Sequence, residues 1–300
     1  MNTDVSFARF INAGPVVVGG IGGSGTRVIT QILTGLRYYM GGDLNESEDL
    51  LSYTLLFKRK RWFLDNRSDE KEIFKGLSVL KKLMITRKHL SIPELLFFLL
   101  AVKSMGLHGH NHLGHGKRSW AFDRGLALLK MKKPAAEEYL GWGWKEPNSH
   151  LLIDEMNSFF PDFKYIHAIR HGLDMAYSEN QQQLFNWGSL FGIPTPTDEK
   201  KIPVASFRYW VEANRSVIDK GNKMGTNKFL LVNFDDLCSE PREGILKIIA
   251  FLGITLPDEA LNNVLELPKK IDSIGRFRQF DLSQFSTDDL IFLRSVGFST

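Results

Sequence analysis

The run Gly19-Gly20-Ile21-Gly22-Gly23-Ser24-Gly25-Thr26-Arg27 packs glycines, two hydroxyls and a guanidinium into nine residues. Glycines let a backbone curl closely around an oxyanion, so that successive amides and a helix N-terminus face negative charge. Ser24 and Thr26 add hydroxyl donors, and binding of a phosphate or sulfate group is the chemistry this combination serves. A plain glycine-rich turn would account for the glycines but not for the hydroxyls and Arg27 beside them. Aligning the triphosphatase pattern G-x-x-x-x-G-K-[ST] on Gly20 and Gly25 puts Thr26 at the lysine and Arg27 at the magnesium-binding hydroxyl, so both reactive side chains are missing. Gly20, Gly22 and Gly25 fit the spacing of a dinucleotide fingerprint. The acidic residue expected about 20 residues later has only loose candidates, such as Asp43. An anionic donor that needs no metal suits the loop best.

Such a loop needs a strand before it and a helix behind it. Pro15-Val16-Val17-Val18 supplies the strand, and Val28, Ile29, Ile32, Leu33 and Leu36 recur at helical spacing. From about Glu46 to Lys133, apolar stripes alternate with basic runs such as Lys58-Arg59-Lys60-Arg61 and Lys81-Lys82, which reads as several amphipathic helices with solvated basic faces. Leu95 to Val102 reads as a buried helix behind a start signal made of Ser91, Pro93 and Glu94. Phe163 to Arg170 alternates as a strand after Pro161-Asp162, followed by a helical pattern from about Leu173 to Leu184. Val204 to Lys223 reads as helix, Phe229 to Asn233 as a short buried strand, and Glu243 to Leu252 as a helix stopped at Gly253. Strands alternating with helices predict an α/β fold, a parallel sheet flanked by helices on both faces, with ligands beyond the carboxyl ends of the strands. No repeat, low-complexity tract or long linker divides the chain, so one domain over 1–300 is expected, with a mainly helical insertion at about 46–140.

Composition narrows the class. The 300 residues are 43% hydrophobic and 24% charged, which excludes collagen-like, disordered and disulfide-scaffold proteins. A net charge of +4 is too thin a surplus for a general nucleic-acid binder, so no nucleic-acid partner is expected and any cationic function must be local. Cys238 is the one cysteine and cannot form an internal disulfide, so a reducing cytoplasm is the expected compartment. Met1 to Gly14 lacks the apolar core of a signal peptide, and neither Pro15 to Gly20 nor Leu95 to Val102 approaches the roughly 20 residues of a membrane span.

Taken together, these segments resemble the sulfotransferases that use 3′-phosphoadenosine 5′-phosphosulfate (PAPS), a family with a P-loop-like fold. Its first signature is a strand, a loop ending Ser-Gly-Thr and a helix, here VVVGGIGGSGTRVITQIL. Its second is a strand ending in Arg with Ser eight residues later on the next helix, here Arg170 and Ser178 with Asp174 between. Asn233-Phe234-Asp235-Asp236-Leu237 with Pro241 and Phe251-Leu252-Gly253, the stretch Ile274-Gly275-Arg276-Phe277-Arg278, and Trp144-Lys145-Glu146-Pro147 resemble three further family segments in the family's order. The resemblance implies sulfuryl transfer from PAPS to a hydroxyl or amine acceptor, with release of 3′-phosphoadenosine 5′-phosphate (PAP) and no metal. It assigns the 5′ end of the donor to Gly22, Gly23, Ser24, Gly25, Thr26 and Arg27. The 3′-phosphate goes to Arg170 and Ser178, with Phe234 and Arg276 also on the donor and Arg278 a further candidate. Taken singly, Arg170 reads as a strand-end salt bridge and Ser178 as an exposed serine.

One departure matters. Family loops usually place Lys or Arg just before Ser-Gly-Thr, where this chain has Gly23. Arg27 and Lys145 are the candidate replacements for that leaving-group cation. For the general base, Asp43, Glu46 and Asp49 come first, against His108, His110, His112 and His115 in GLHGHNHLGHGKR. Those histidines lack a nearby carboxylate or cysteine cluster and read as an acceptor-site or exposed loop more readily than as a zinc site. Trp120, Trp142 and Trp144 line an acceptor cleft or belong to the core. The acceptor is expected to be a small molecule, carbohydrate or lipid. The alternatives are a kinase with a divergent phosphate loop and a catalytically silent PAP-binding relative.

Overall fold

The computed structural model describes residue 10 and residues 12–86 and 88–300. Five strands, β1 (Val16–Gly20), β2 (Tyr38–Tyr39), β3 (Gly141–Lys145), β4 (Lys164–Ile169) and β5 (Phe229–Asn233), form a sheet in the order β2-β3-β1-β4-β5. The sheet is parallel. In the register of β1 on β3, Val16 faces Gly143, Val17 faces Trp144 and Val18 faces Lys145. β1 and β3 are buried along their whole length, as expected where helices cover both faces. The glycine loop leaves β1 and enters α1 (Thr26–Gly35), as the sequence predicts.

Two compact units divide the chain: residues up to Val18 with Leu33–Tyr165, and Gly19–Ile32 with Ile166–Thr300. The first holds α2 (Leu51–Phe57), α3 (Lys60–Asn66), α4 (Glu70–Met84), α5 (Ile92–His108), α6 (Ser119–Lys130) and α7 (Ile153–Phe159). Trp142 and Trp144 on β3 are fully buried, so they belong to its core. Ser91 and Glu94 make the capping box that opens α5. The expected burial of this helix is half right. Phe97, Phe98, Ala101 and Met105 are buried, whereas Leu96, Leu99 and Leu100 are each more than 50% exposed. The run is apolar all round, and only one side meets α2 and α4.

The second unit holds α8 (Gly172–Ala176), α9 (Gln182–Trp187), α10 (Ile202–Met224), α11 (Phe234–Ser239), α12 (Pro241–Leu252), α13 (Asp258–Leu265) and α14 (Thr287–Ser295). The single helix predicted from about Leu173 to Leu184 is two short ones. Gln181 breaks it: its side-chain amide donates to the carbonyls of Met175, Ala176 and Ser178 and so replaces backbone donors of a continuing helix. Ser178 therefore lies just past α8 and not on a helix.

Candidate functional site

The second unit carries the glycine loop. Two turns in it depend on left-handed backbone, at Gly23 (φ 91°) and Gly25 (φ 86°). Gly25 has a second reason to be glycine, since a Cβ there would sit 1.9 Å from the Phe234 ring. The Ser24 amide donates to the Ile21 carbonyl at 3.0 Å and the Val28 amide to the Gly25 carbonyl at 3.1 Å, closing the loop onto the first turn of α1. Ser24 is 1% exposed, and its Oγ has no hydrogen-bond partner. Such a buried hydroxyl is costly unless something completes it. Thr26 is buried beside it, and Arg27 is exposed on the first turn of α1. Gln183 Oε1 accepts the Gly22 amide at 2.8 Å, so this loop amide is already engaged.

Arg170 stands at the end of β4, buried, with Nη1 donating to the Gly23 carbonyl at 3.3 Å and Nη2 to Ser273 Oγ at 2.8 Å. Its Nε is buried without a partner, and among the described residues it forms no ion pair with a carboxylate. Burial pushes the guanidinium below its ordinary value, while Asp235 and Asp174 pull it back. It nevertheless stays charged. A buried cation of this kind calls for an anion. Phe234 packs beside it, the guanidinium carbon 5.7 Å from the ring centre.

The structure also brings the C-terminal basic segment to this end of the unit. Asp174, 1% exposed, accepts the Gly275 amide at 2.7 Å through Oδ2 and the Phe277 amide at 2.9 Å through Oδ1. Both oxygens thus clamp the turn holding Arg276, whose Nη1 donates to the Tyr177 carbonyl at 3.0 Å. Ser178 Oγ accepts the Asn180 amide at 3.3 Å. His171 stacks on Phe277 with ring centres 4.2 Å apart, and burial lowers its pKa. Asp235 Oδ2 accepts the His171 amide, and its Oδ1 is buried without a partner, so burial raises its carboxyl. The sequence reading missed Gln183, Ser273 and Asp235 as parts of this site. Asp174 was visible inside the second signature, but its clamping role was not.

The first unit holds the other candidates. Lys145 is 2% exposed, and its Nζ donates to Asp49 Oδ1 at 2.5 Å and to the Ser47 carbonyl at 2.7 Å. Asn45 Nδ2 holds the other oxygen of Asp49 at 3.0 Å, so the loop after β2 is built around this ion pair. Asp43 is buried and paired with Arg124 at 2.5 Å, with Oδ2 left without a partner. Burial raises its carboxyl, and Arg124 opposes the rise. Glu46 is exposed. Glu146, next to Lys145, is buried, accepts the Asn148 backbone and side-chain amides, and is likewise raised by burial. In the histidine segment, burial pushes His110 down to about 4, and its ring lies against Trp120. Among the described residues no three His, Cys, Asp or Glu side chains converge as metal ligands.

Comparison with known proteins bears on the fold and the family. The fold resembles the sulfotransferase domain from the Synechococcus PCC 7002 olefin synthase, with TM-score 0.51 and 17% identity over 96% of this chain and 97% of that one. It also resembles the sulfotransferase domain from the curacin biosynthetic pathway, with TM-score 0.50 and 12% identity over 96% and 98%. No curated protein matches the sequence. Residues 15–258 match the profile of the Sulfotransferase family, a span that contains the glycine loop, Lys145, Arg170 and Phe234. With a parallel five-stranded α/β fold to go with that match, the chain belongs to the sulfotransferase family.

Proposed function

We propose that the protein transfers a sulfuryl group from PAPS to a hydroxyl or amine acceptor and releases PAP. The observation that carries this reading is Arg170, a buried guanidinium with no carboxylate partner, bonded to the loop that holds the partnerless Ser24 hydroxyl. A doubly anionic donor would satisfy both groups. When bound, PAPS supplies the sulfuryl group: its bond to the 5′-phosphate oxygen breaks as the acceptor oxygen or nitrogen attacks sulfur.

The protein's part is positioning and fixed charge. Gly22 to Arg27 hold the 5′ end, and Arg170, Ser178, Phe234 and Arg276 hold the 3′-phosphate end. Lys145 and Arg27 are the cations assigned to the charge that develops on the leaving oxygen. Among the candidate bases, Asp43 fits best, because its second oxygen is free and burial raises its affinity for a proton. The helices of residues 46–140 shape the acceptor site, a small molecule, carbohydrate or lipid being the acceptor, and the cytoplasm is the compartment.

Titration calorimetry with PAP, and with ADP with and without Mg²⁺, tests this reading. PAP should bind more tightly than either ADP sample. Tighter binding of ADP with Mg²⁺ would instead favour a phosphotransferase. Gly23 favours a second reading, a silent relative that binds PAP, because the usual loop cation is absent there. Labelled PAPS supplied with a broad panel of carbohydrate, lipid, phenolic and peptide acceptors separates the two by turnover.

A further inference from the structure

Within the first unit, α5 and α6 lie side by side, with Phe98 and Val102 against Gly125. Both helices rest on α2 and α4. The faces turned away from that support are apolar. Ile92, Leu96, Leu99, Leu100 and Leu107 repeat at helical spacing on α5, and Phe122, Leu126 and Leu129 do the same on α6, with exposures from 38% to 86%. Scattered exposed leucines need no explanation, but two adjacent stripes do.

The charge around these stripes is one-sided. Residues 81–133 hold eleven Lys and Arg against two acidic residues, while the other 247 residues hold 27 basic against 32 acidic. Of the two acids, Glu94 is buried and paired with Lys82, which leaves Asp123 as the one exposed carboxylate of the segment. Lys88, Lys103, Lys117, Arg118, Lys130 and Lys132 are all exposed. At the C-terminal end of α5 a cavity of about 290 Å³ is lined by Arg59, Lys60, Arg61, Ser104 and His108 to His112, with no carboxylate. Arg59 there is buried, stacked 4.0 Å above the Trp62 ring, with Nη2 lacking a partner.

We infer that the α5–α6 face is a docking surface for an anionic lipid bilayer. The leucine stripes enter the boundary between headgroups and acyl chains, and the surrounding cations meet lipid phosphates, one of which the Arg59 cavity seats. A second copy of the chain is a poor occupant, because a symmetric pairing would bring the six exposed cations of one face against the six of the other. A purely anionic partner would leave the leucines exposed. A bilayer answers both features at once.

The test uses the full chain in co-sedimentation with vesicles of phosphatidylcholine alone and with phosphatidylglycerol added. Binding to the anionic vesicles only is expected. Lys103→Glu and Lys130→Glu should each weaken that binding by about fivefold or more. The triple variant Leu96→Gln, Leu100→Gln, Phe122→Gln should abolish it, with an unchanged Tm confirming the fold. Equal binding to both vesicle types, or none, overturns the proposal. So does a dimer in light scattering, without vesicles, that the triple variant dissociates. Stabilisation by inorganic phosphate without vesicle binding would assign the Arg59 cavity to a free anion and also overturn it.

Discussion

Arg170 and Lys145 are both cations buried at strand ends, yet they are neutralised differently. Lys145 has its counter-ion built in, Asp49 at 2.5 Å, held in turn by Asn45. Among the described residues Arg170 hydrogen-bonds only to neutral groups, the Gly23 carbonyl and Ser273 Oγ, its Nε is buried without a partner, and Asp235 and Asp174 act on it only from a distance, outside ion-pair contact. A buried charge without a counter-charge is expensive, and a fold keeps one where a ligand completes it. The contrast sets a cation whose hydrogen-bond partners are all neutral against one whose counter-ion is supplied by its own chain. Lys145 can serve a leaving group only by sharing or exchanging Asp49, whereas Arg170 needs no such exchange.

The largest expected effect therefore falls on Arg170. Arg170→Ala should weaken PAP binding by about 2–5 kcal/mol, roughly 30-fold to several-thousand-fold, read by calorimetry. A variant that loses Tm but keeps its PAP affinity would make Arg170 a strut and erase the contrast.

Acid acts on both units, because the second holds His167 fully buried and the first holds His110 partly buried, with burial lowering the pKa of both. Burial pushes His167 down to about 4, opposed by its bond to Asn214, and lowers His171 as well. With folded values below the unfolded value of about 6.5, the unfolded chain takes up more protons in that interval. Stability is then complete above about pH 6.5 and falls toward pH 4, by up to about 3 kcal/mol for His167. A Tm that stays flat or rises as pH drops from 7 to 4.5 contradicts this.

For the internally paired cation, Asp49→Asn and Lys145→Met should diverge. Asp49→Asn leaves Lys145 buried without a counter-charge and should cost about 1–2 kcal/mol of stability, less than a fully buried pair because Asp49 is partly exposed. Lys145→Met removes the cation itself, is milder on Tm, and should suppress turnover while leaving PAP affinity unchanged. Retained turnover would pass the leaving-group role to Arg27.

These two sites were unequally legible in the sequence. The glycine loop and Arg170 are written locally, because a strand, a glycine-rich turn and a helix follow one another in the chain, and another strand ends just before Arg170. The Asp174 clamp joins residues about a hundred positions apart, and the Lys145–Asp49 pair almost as many, so spacing alone could not reveal them. The helix at Leu95 to Val102 was legible but its surroundings were not: an apolar run reads the same whether its second face meets protein or solvent. Ser178 shows the limit of pattern at an element's end, since its place depends on Gln181 turning back onto three carbonyls.

The smallest expected effect tests Gly23, where the family's usual cation is missing. Its φ of 91° disfavours any L-residue, whereas the space around a Cβ there is open to 4 Å. Gly23→Lys should therefore cost only about 1–2 kcal/mol of stability, from backbone strain without a clash. Its effect on turnover is the informative part. If Lys145 or Arg27 already supplies the leaving-group charge, a lysine added to the loop changes the rate little, and the strain slightly weakens PAP binding. A clear gain in turnover from a protein otherwise inactive with every acceptor would show that the loop had lost its cation without replacement. Lys145 would then be a structural partner of Asp49, and the two buried cations would differ in function as well as in pairing.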